Sequence, residues 1–222
     1  EMDPDILASR LPDHLTPDVH HGKAFVSVVI ADMEKMRPSF LPRIAGTTYN
    51  QVVYRAVVKC GNHRGVTFLR SDADSSFMVT AGNLLTFFRF HRANATWRTD
   101  ESSIEFDLVP RDGAAAAINL SLDRTSMSSE MPAESGFRDL NDAQSFLTEL
   151  YMAFGNRCDD GRVETVRIER SSWDGQVFRD RVARYEAMTG GDLFGPDETR
   201  LNSVFFVEDL NYHWKRLSFT IP

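Results

Sequence analysis

The chain has 222 residues, of which 42% are hydrophobic and 26% are charged. These proportions are those of an ordinary globular protein, so they exclude disordered and fibrous classes, and the length suits a single domain over residues 1–222. Twenty-five basic and thirty-two acidic side chains leave a net charge of −7, which argues against nucleic acid or a membrane surface as the partner.

The N-terminal third of the chain predicts one short helix and three strands. Asp3-Pro4 is typical of an N-cap followed by proline at the first helical position, so a short helix is expected before Pro12. Residues 23–31 are mostly apolar and predict a buried strand. Residues 51–59 and 66–70 are rich in Val, Tyr and Phe, and the glycines between them predict a hairpin turn over 60–65.

The rest of the chain mixes further strands with three predicted helices. The helices are expected from cap residues and helical periodicity near residues 75–88, 142–155 and 178–189. The strands are expected from alternating or continuous apolar residues around 103–108, 118–122, 163–170, 204–207 and 212–219. Because strands and helices do not alternate regularly, a mainly antiparallel sheet or barrel with peripheral helices fits better than a parallel sheet.

Local motifs give little chemistry. Asp72-Ala73-Asp74 begins like a calcium loop, but Phe77 stands where the turn of that loop requires glycine. His20-His21 lies in a polar turn, and no carboxylate follows at ligand spacing, so we expect a solvated turn and no metal site.

Three features of the chain favour the cytoplasm as its location. Cys60 and Cys158 match neither a disulfide framework nor a metal motif, which is typical of a reducing compartment. No apolar run reaches the ~20 residues that a membrane span needs. The acidic start of the chain has no cationic signal region, and its abruptness suggests that a short stretch precedes Glu1.

Strand alternation brings a few polar residues together. Gln51 and Arg55 are expected on one face of their strand. On a later strand, Arg89 and His91 are expected on one face, with Phe88 and Phe90 on the other. Unpaired charged groups that face an apolar core carry a large free-energy cost. These faces are therefore either exposed to solvent or line a polar cavity.

Several stretches of the sequence carry a resemblance to a known family. They are residues 11–29, 49–55, 65–73, 90–91 and 146–151, together with Trp173. In this order they resemble the YqjF-like uncharacterised bacterial family, a domain of unknown function (2071) in the acetoacetate decarboxylase-like superfamily. The resemblance covers nearly the whole chain. It implies a mainly β (α+β) fold, an antiparallel β-barrel with helices packed outside and a pocket inside, and it implies no known reaction.

The superfamily's enzymes use a lysine in a Gly-Phe-Pro-Lys-Lys segment to form a Schiff base with a keto acid. The segment that resembles it here is Thr86-Phe87-Phe88-Arg89-Phe90, with Arg89 at the lysine position. An arginine keeps its proton and forms no imine. The superfamily's Tyr-x-Glu resembles Tyr49-Asn50-Gln51, and the family's histidine pair is replaced by Glu169-Arg170. Decarboxylation through an imine is therefore not expected.

The predicted function is the binding of a small organic anion, a carboxylate or keto acid, in the barrel pocket. Arg55 and Arg89 are expected to bind the anion through their planar guanidinium groups. His91 is the candidate catalytic residue because an imidazole titrates near neutral pH. Gln51 and Glu149 complete the candidate ligand-binding set, and no cofactor is expected.

Three classes of function stay open on the sequence alone. The first is an enzyme that performs acid–base chemistry without an imine, and the second is a non-catalytic binding protein that lost the superfamily's lysine. The third is a scaffold whose barrel is filled by side chains. A homo-oligomer is compatible with each of them. Asp72 and Trp173 also match family-like positions, where a helix cap and a core position are the favoured roles.

Overall fold

Strands are the main secondary structure of the described residues, and short helices lie between them. The computed structural model describes residues 1–37, 44, 46–170, 175–179, 181–208 and 210–220. Trp173 lies outside these residues. The α-helices of the described part are α1 (Pro4–Ala8), α2 (Ser76–Leu85) and α3 (Leu140–Thr148). Its strands are β1 (Thr16–Pro17), β2 (Val26–Met36), β3 (Thr47–Cys60), β4 (His63–Ala73), β5 (Phe90–Thr99), β6 (Ser103–Pro110), β7 (Ile118–Asp123), β8 (Met127–Ser128), β9 (Met152–Arg157), β10 (Arg162–Arg170), β11 (Gln176–Phe178), β12 (Arg181–Tyr185), β13 (Phe205–Phe206) and β14 (Tyr212–Thr220).

Side-chain caps begin each of the three α-helices. Asp3 accepts a hydrogen bond from the backbone amide of Asp5 in α1, with proline at the first helical position as predicted. Ser75 caps α2, and Asp139 caps α3. The helices expected near 75–88 and 142–155 are confirmed, and both are shorter than predicted. The segment expected to complete the second of them instead forms β9.

The helix expected near 178–189 is wrong. Its residues form the end of β11, the strand β12 and a single 3-10 turn at Glu186–Met188. β12 pairs antiparallel with β7, from Arg181 opposite Leu122 to Tyr185 opposite Ile118. The backbone hydrogen bonds of this sheet edge outweigh a weak helical propensity, which tertiary context often overrides.

β3 and β4 form the predicted hairpin. Cys60 pairs with His63 across a two-residue turn, and Gly61 has φ 58°. A glycine with positive φ at the first turn position fits the turn geometry that two-residue hairpins favour. The hairpin strands extend further than the sequence pattern indicated.

The main sheet is mostly antiparallel and curls into a half-barrel, which confirms the predicted class of fold. β4 lies at its centre and pairs along one edge with β3. Its other edge is shared by two parallel neighbours, β9 at Val66 and Thr67 and β5 from Ser71 to Ala73. The sheet therefore forks between Thr67 and Ser71, and the β3–β4 register shifts by one residue at the same level.

Two hydrophobic clusters cover the two faces of the sheet at this fork. On the face that we call the helix face, Ala73 and Phe90 pack with residues of α2 and α3, including Val79 and Phe146. On the opposite face, which we call the strand face, residues of β3 pack with β5, β6, β7 and α1. Register partners in a sheet project to the same face, so the pairing assigns each side chain of β4 and β5 to one of these faces.

The helices of the described residues are short. Among residues 1–37, 44, 46–170, 175–179, 181–208 and 210–220, no helix has the length and apolar character that crossing a membrane requires.

Candidate functional site

A chain of four ionisable residues lies on the strand face. Arg70 donates from Nε and Nη2 to the two carboxylate oxygens of Asp72, at 2.8 and 2.7 Å. The same Nη2 donates to Asp112 at 3.0 Å, and His91 Nδ1 lies 2.8 Å from Asp112 Oδ2. Arg70 and Asp72 are two residues apart on β4, and His91 is the register partner of Asp72 on β5. Strand geometry therefore places three of the four side chains on one face.

Asp112 orients the ring of His91. Partial burial works against ionisation of Asp112, but hydrogen bonds from the Ala114 amide and Arg70, with the charges of Arg70 and His91, hold its pKa below the ordinary value. The carboxylate binds Nδ1, so Nε2 is the nitrogen that remains for another partner. The His91 side chain is 39% exposed. A carboxylate that fixes the orientation of an imidazole is an arrangement suited to proton transfer.

A different set of polar groups lies on the helix face. Arg92 has two buried guanidinium nitrogens, Nε and Nη1, that have no hydrogen-bond partner among the described residues. The buried hydroxyl of Ser71 also has none. Most buried polar groups are hydrogen-bonded, so these atoms mark a position where the chain itself leaves donors unused.

The sheet register brings Arg92, Ser71 and Gln51 around one small residue. Gln51 pairs with Ala73, and Ala73 pairs with Arg92, which gives one row across β3, β4 and β5. Neighbouring strands are about 4.8 Å apart, so Gln51 and Arg92 are separated by roughly 10 Å across the Ala73 methyl group. Ser71 lies two residues before Ala73 on the same face, diagonal to both.

Tyr49 completes this group on β3. Its hydroxyl donates a hydrogen bond to Gln51 Oε1 at 3.1 Å. Burial raises the pKa of Tyr49 well above its ordinary value, so the phenol stays protonated. Because this bond occupies the Gln51 oxygen, the amide nitrogen is the part of Gln51 that is left to donate.

Helix α2 packs closely against β5 on this face. A Cβ atom added at Gly82 would overlap the ring of Phe90, so only glycine allows the observed approach. Asn83 also binds the backbone of Phe90 on both sides, donating to its carbonyl at 2.8 Å and accepting from its amide at 2.7 Å. α2 is thereby fixed over the start of the strand that carries Arg92.

The structure separates the residues that the sequence brought together. Gln51 and Arg55 share the helix face, as predicted, and Arg55 Nε donates to Ser27 Oγ at 2.9 Å. The expected convergence of Arg89 and His91 with them is wrong. β5 begins only at Phe90, and Arg89 is exposed in the left-handed region with φ 52°, so strand alternation does not extend to it. His91 belongs to the strand face.

Glu149 lies apart from both polar groups. It is the exposed C-cap residue of α3. The helix-cap role that the sequence favoured for Asp72 is wrong. Ser75 is the N-cap residue of α2, and Asp72 instead binds Arg70.

Sequence reasoning did not assign five residues of these groups to a site, namely Arg70, Asp112, Arg92, Ser71 and Tyr49. Alternation along β4 places Arg70 on the same face as Asp72. Alternation along β5 places Arg92 on the same face as Phe90. Asp112 carries no such signal, because it lies in the loop between β6 and β7 and reaches Arg70 from 42 residues away.

A third polar group lies near α3. His20 and His21 are both close to the carboxylate of Asp142, although the sequence indicated a turn without a carboxylate partner. These three residues offer donor atoms of the kinds that hold a metal ion.

Comparison with solved structures shows which class of fold the chain has. It is similar to a structure of an acetoacetate decarboxylase with a TM-score of 0.60 and 11% identity, covering 99% of this chain and 83% of that one. The acetoacetate decarboxylase from Legionella pneumophila subsp. pneumophila str. Philadelphia 1 gives a TM-score of 0.55 at 11% identity, covering 100% and 80%. The enduracididine biosynthesis enzyme MppR, complexed with pyruvate, gives 0.52 at 10% identity, covering 98% and 81%. The fold is therefore acetoacetate decarboxylase-like.

The family follows from the sequence itself. The DUF2071 family, whose description is "Uncharacterized conserved protein", matches residues 1–209, and the chain belongs to this family. No curated protein matches the sequence.

Proposed function

We propose that the chain binds a small organic anion on the helix face, between Arg92, Ser71 and Gln51. The observation that carries this proposal is the pair of buried guanidinium nitrogens of Arg92, for which the described part of the chain offers no hydrogen-bond partner. Gln51 stays in the ligand-binding set that the sequence indicated. Arg92 and Ser71 take the place of the arginines and the glutamate in that set.

The energetics of Arg92 support an anion as the missing partner. Buried donors without a partner are costly, and a guanidinium cannot relieve that cost by losing its proton. A ligand carboxylate would pair with the Nε and Nη1 donors in the two-bonded geometry that arginine favours. The Ser71 hydroxyl and the Gln51 amide supply further donors, so the group as a whole suits a ligand rich in acceptors.

A small keto acid is a sensible first probe. MppR, a protein of the same fold, has been described in complex with pyruvate. Imine chemistry is outside this proposal. In the segment that resembles the superfamily's lysine motif, Arg89 occupies the lysine position, and an arginine forms no imine.

Calorimetric titration with pyruvate, and with acetate as a simple carboxylate, tests the proposal. We expect Arg92→Met to weaken binding at least about tenfold, because hydrogen bonds to a charged group contribute about 1.5–3 kcal/mol. Arg98→Met is the matched control, since Arg98 is on the same strand and its side chain is 64% exposed. Equal binding by the two variants, or no binding of either probe to the unaltered protein, would refute the proposal.

A second candidate function is acid–base catalysis by His91. The observation in its favour is the 2.8 Å contact between His91 Nδ1 and Asp112 Oδ2, which leaves Nε2 for a substrate proton. This activity would use the strand face, whereas anion binding at Arg92 uses the helix face. The two candidates are therefore separable by single substitutions.

Proton exchange at the carbon next to the keto group of pyruvate measures this second activity. NMR in heavy water should show faster exchange with the protein than with buffer, and His91→Gln should remove the difference. Arg92→Met alters the other face. At a saturating pyruvate concentration it should therefore not change the His91-dependent exchange rate. An exchange rate equal to that of buffer would reject the catalytic candidate while leaving anion binding to its own test.

We also propose the cytoplasm as the setting for this function. Cys60 and Cys158 are both free thiols, and Cys60 is buried. Free thiols persist in a reducing compartment, which supports that setting. Localisation of a fluorescent fusion in the source cells would test it.

A further inference from the structure

Three nitrogen and oxygen donors converge where the turn before β2 meets α3. His20 Nε2 lies 3.3 Å and His21 Nε2 lies 3.7 Å from Asp142 Oδ2. All three donor atoms lie within 4.8 Å of one another. The carboxylate side chain is only 8% exposed, whereas the His21 side chain is 53% exposed.

The backbone turns two adjacent histidines to the same side. Successive side chains of an extended chain point in opposite directions. His21 instead adopts the left-handed conformation, with φ 47°, and the two imidazole rings lie 4.2 Å apart between centroids. Histidine is one of the residues that tolerate this conformation.

The surroundings fix two of the three donors in place. The His20 ring stacks on Phe137 and Phe146, with centroid distances of 5.2 and 4.6 Å. Asp142 accepts hydrogen bonds from the backbone amide of Arg138 on Oδ2, at 3.0 Å, and from the Arg138 guanidinium on Oδ1, at 3.1 Å. These contacts orient the carboxylate as partners around a metal site do.

We propose that His20, His21 and Asp142 form a mononuclear site for a divalent transition-metal ion of the zinc class. Donors held about 2.0–2.1 Å from a tetrahedral zinc ion lie about 3.3 Å from one another. The two distances to Asp142 Oδ2, 3.3 and 3.7 Å, are close to that spacing, so small ring movements would complete the site.

The donor types decide between classes of metal. Two imidazoles and one carboxylate suit zinc, cobalt or nickel, whereas calcium and magnesium prefer oxygen ligands only. Three protein donors leave a fourth tetrahedral position for water or a substrate. The exposed His21 gives the ion a way in from solvent.

The Arg138 side chain is the main opposing feature. Its positive charge lies beside Asp142, and it would weaken the attraction between the carboxylate and a cation. However, its guanidinium binds Oδ1, and its side chain is 76% exposed, so solvent screens much of this effect.

Metal titration of the untagged, chelator-treated chain tests the site, and it does not depend on anion binding at Arg92. Calorimetry with Zn²⁺ should give one site per chain, and Co²⁺ should give the visible absorption of a four- or five-coordinate ion. Mg²⁺ should give no saturable binding.

Single substitutions then assign the ligands. We expect His21→Ala and Asp142→Asn to weaken Zn²⁺ binding at least about tenfold, the scale of loss seen when even the partners of metal ligands are removed. His63→Ala is the control, because His63 is an exposed histidine at the β3–β4 turn. Thermal unfolding without metal shows whether each variant folds, and His21→Ala decides the matter if Asp142→Asn does not.

Two results would overturn the proposal. One is the absence of saturable Zn²⁺ binding by the unaltered chain. The other is unchanged affinity in folded His21→Ala, which would leave the cluster as hydrogen bonds that secure the start of α3.

Discussion

On the two faces of the central strands, the arginine side chains differ in their hydrogen-bond partners. On the strand face, the guanidinium of Arg70 is bound by two carboxylates, those of Asp72 and Asp112. On the helix face, only one strand away, two nitrogens of Arg92 are also hidden from solvent but have no hydrogen-bond partner among the described residues. Both side chains come from the same sheet, so burial alone does not account for the difference.

Under the proposed function, this difference separates an arginine that serves the fold from one that serves a ligand. Arg70 is 6% exposed and Asp72 is fully buried, so each needs the other to offset the loss of water. The proposal predicts that the two buried nitrogens of Arg92 lower the stability of the free protein and that a bound anion restores it.

The largest loss of stability is expected when the Arg70–Asp72 pair is broken. Asp72→Asn removes the charge that faces Arg70 and leaves a buried guanidinium with Asp112 alone. Breaking a buried pair costs about 3–5 kcal/mol, and we expect about 3 kcal/mol because Asp112 remains. Urea unfolding measures it, with Asp160→Asn on an exposed ion pair as the control. A loss below about 1 kcal/mol would mean that Arg70 and Asp72 are not a structural pair.

The next effect concerns α2, the helix that packs against the start of the strand that carries Arg92. Gly82→Ala places a methyl group against the ring of Phe90 and forces α2 away from β5. Overpacking of this kind costs about 1–3 kcal/mol, so thermal unfolding should occur at a lower temperature. Hydrogen exchange at the Phe90 amide, which binds Asn83, should become faster. Unchanged stability and exchange would show that α2 is not fixed on the helix face as described.

The smallest effect on stability is expected for Asp100, an exposed carboxylate that accepts several hydrogen bonds. Hydrogen bonds from the Ser102 hydroxyl and amide and the Ser103 amide lower the pKa of Asp100 to about 2. The folded-state pKa lies below the unfolded value of about 3.9, so Asp100 adds stability above that pH and loses it as the pH falls towards 2.

Asp100→Asn should therefore lower stability slightly at pH 7, and the difference from the unaltered chain should vanish near pH 2. Urea unfolding at a series of pH values measures this difference. A difference that stays constant with pH would show that the charge of Asp100 does not contribute.

The sequence predicts the fold better than the sites, for physical reasons. Asp3-Pro4 and the alternation of Ile104, Phe106 and Leu108 act through neighbouring residues, and the structure has the helix and strand that they indicate. The family resemblance indicated the acetoacetate decarboxylase-like fold, which the structural comparisons support at 10–11% identity.

The sites depend on contacts that no local pattern records. The positive φ of Arg89 ends strand alternation one residue before β5, so the predicted arginine lies outside the sheet. Asp112 reaches Arg70 from a loop, and Asp142 reaches His20 from 122 residues away. Parity could have indicated Arg92, but only the packing of α2 and α3 decides which face is covered.

The most direct test of the contrast between the two arginines compares thermal unfolding of the unaltered chain and Arg92→Met, each with and without pyruvate. Without pyruvate, Arg92→Met should be the more stable protein, by about 1 kcal/mol or more, because it removes two buried donors that have no partner among the described residues. Ligand that binds only the folded state adds stability as its concentration rises, by about 2.7 kcal/mol at one hundred times Kd. Pyruvate should therefore stabilise the unaltered chain alone and reverse the order of the two proteins. If Arg92→Met is the less stable protein without pyruvate and both respond equally to it, Arg92 is a structural residue and the anion site is not there.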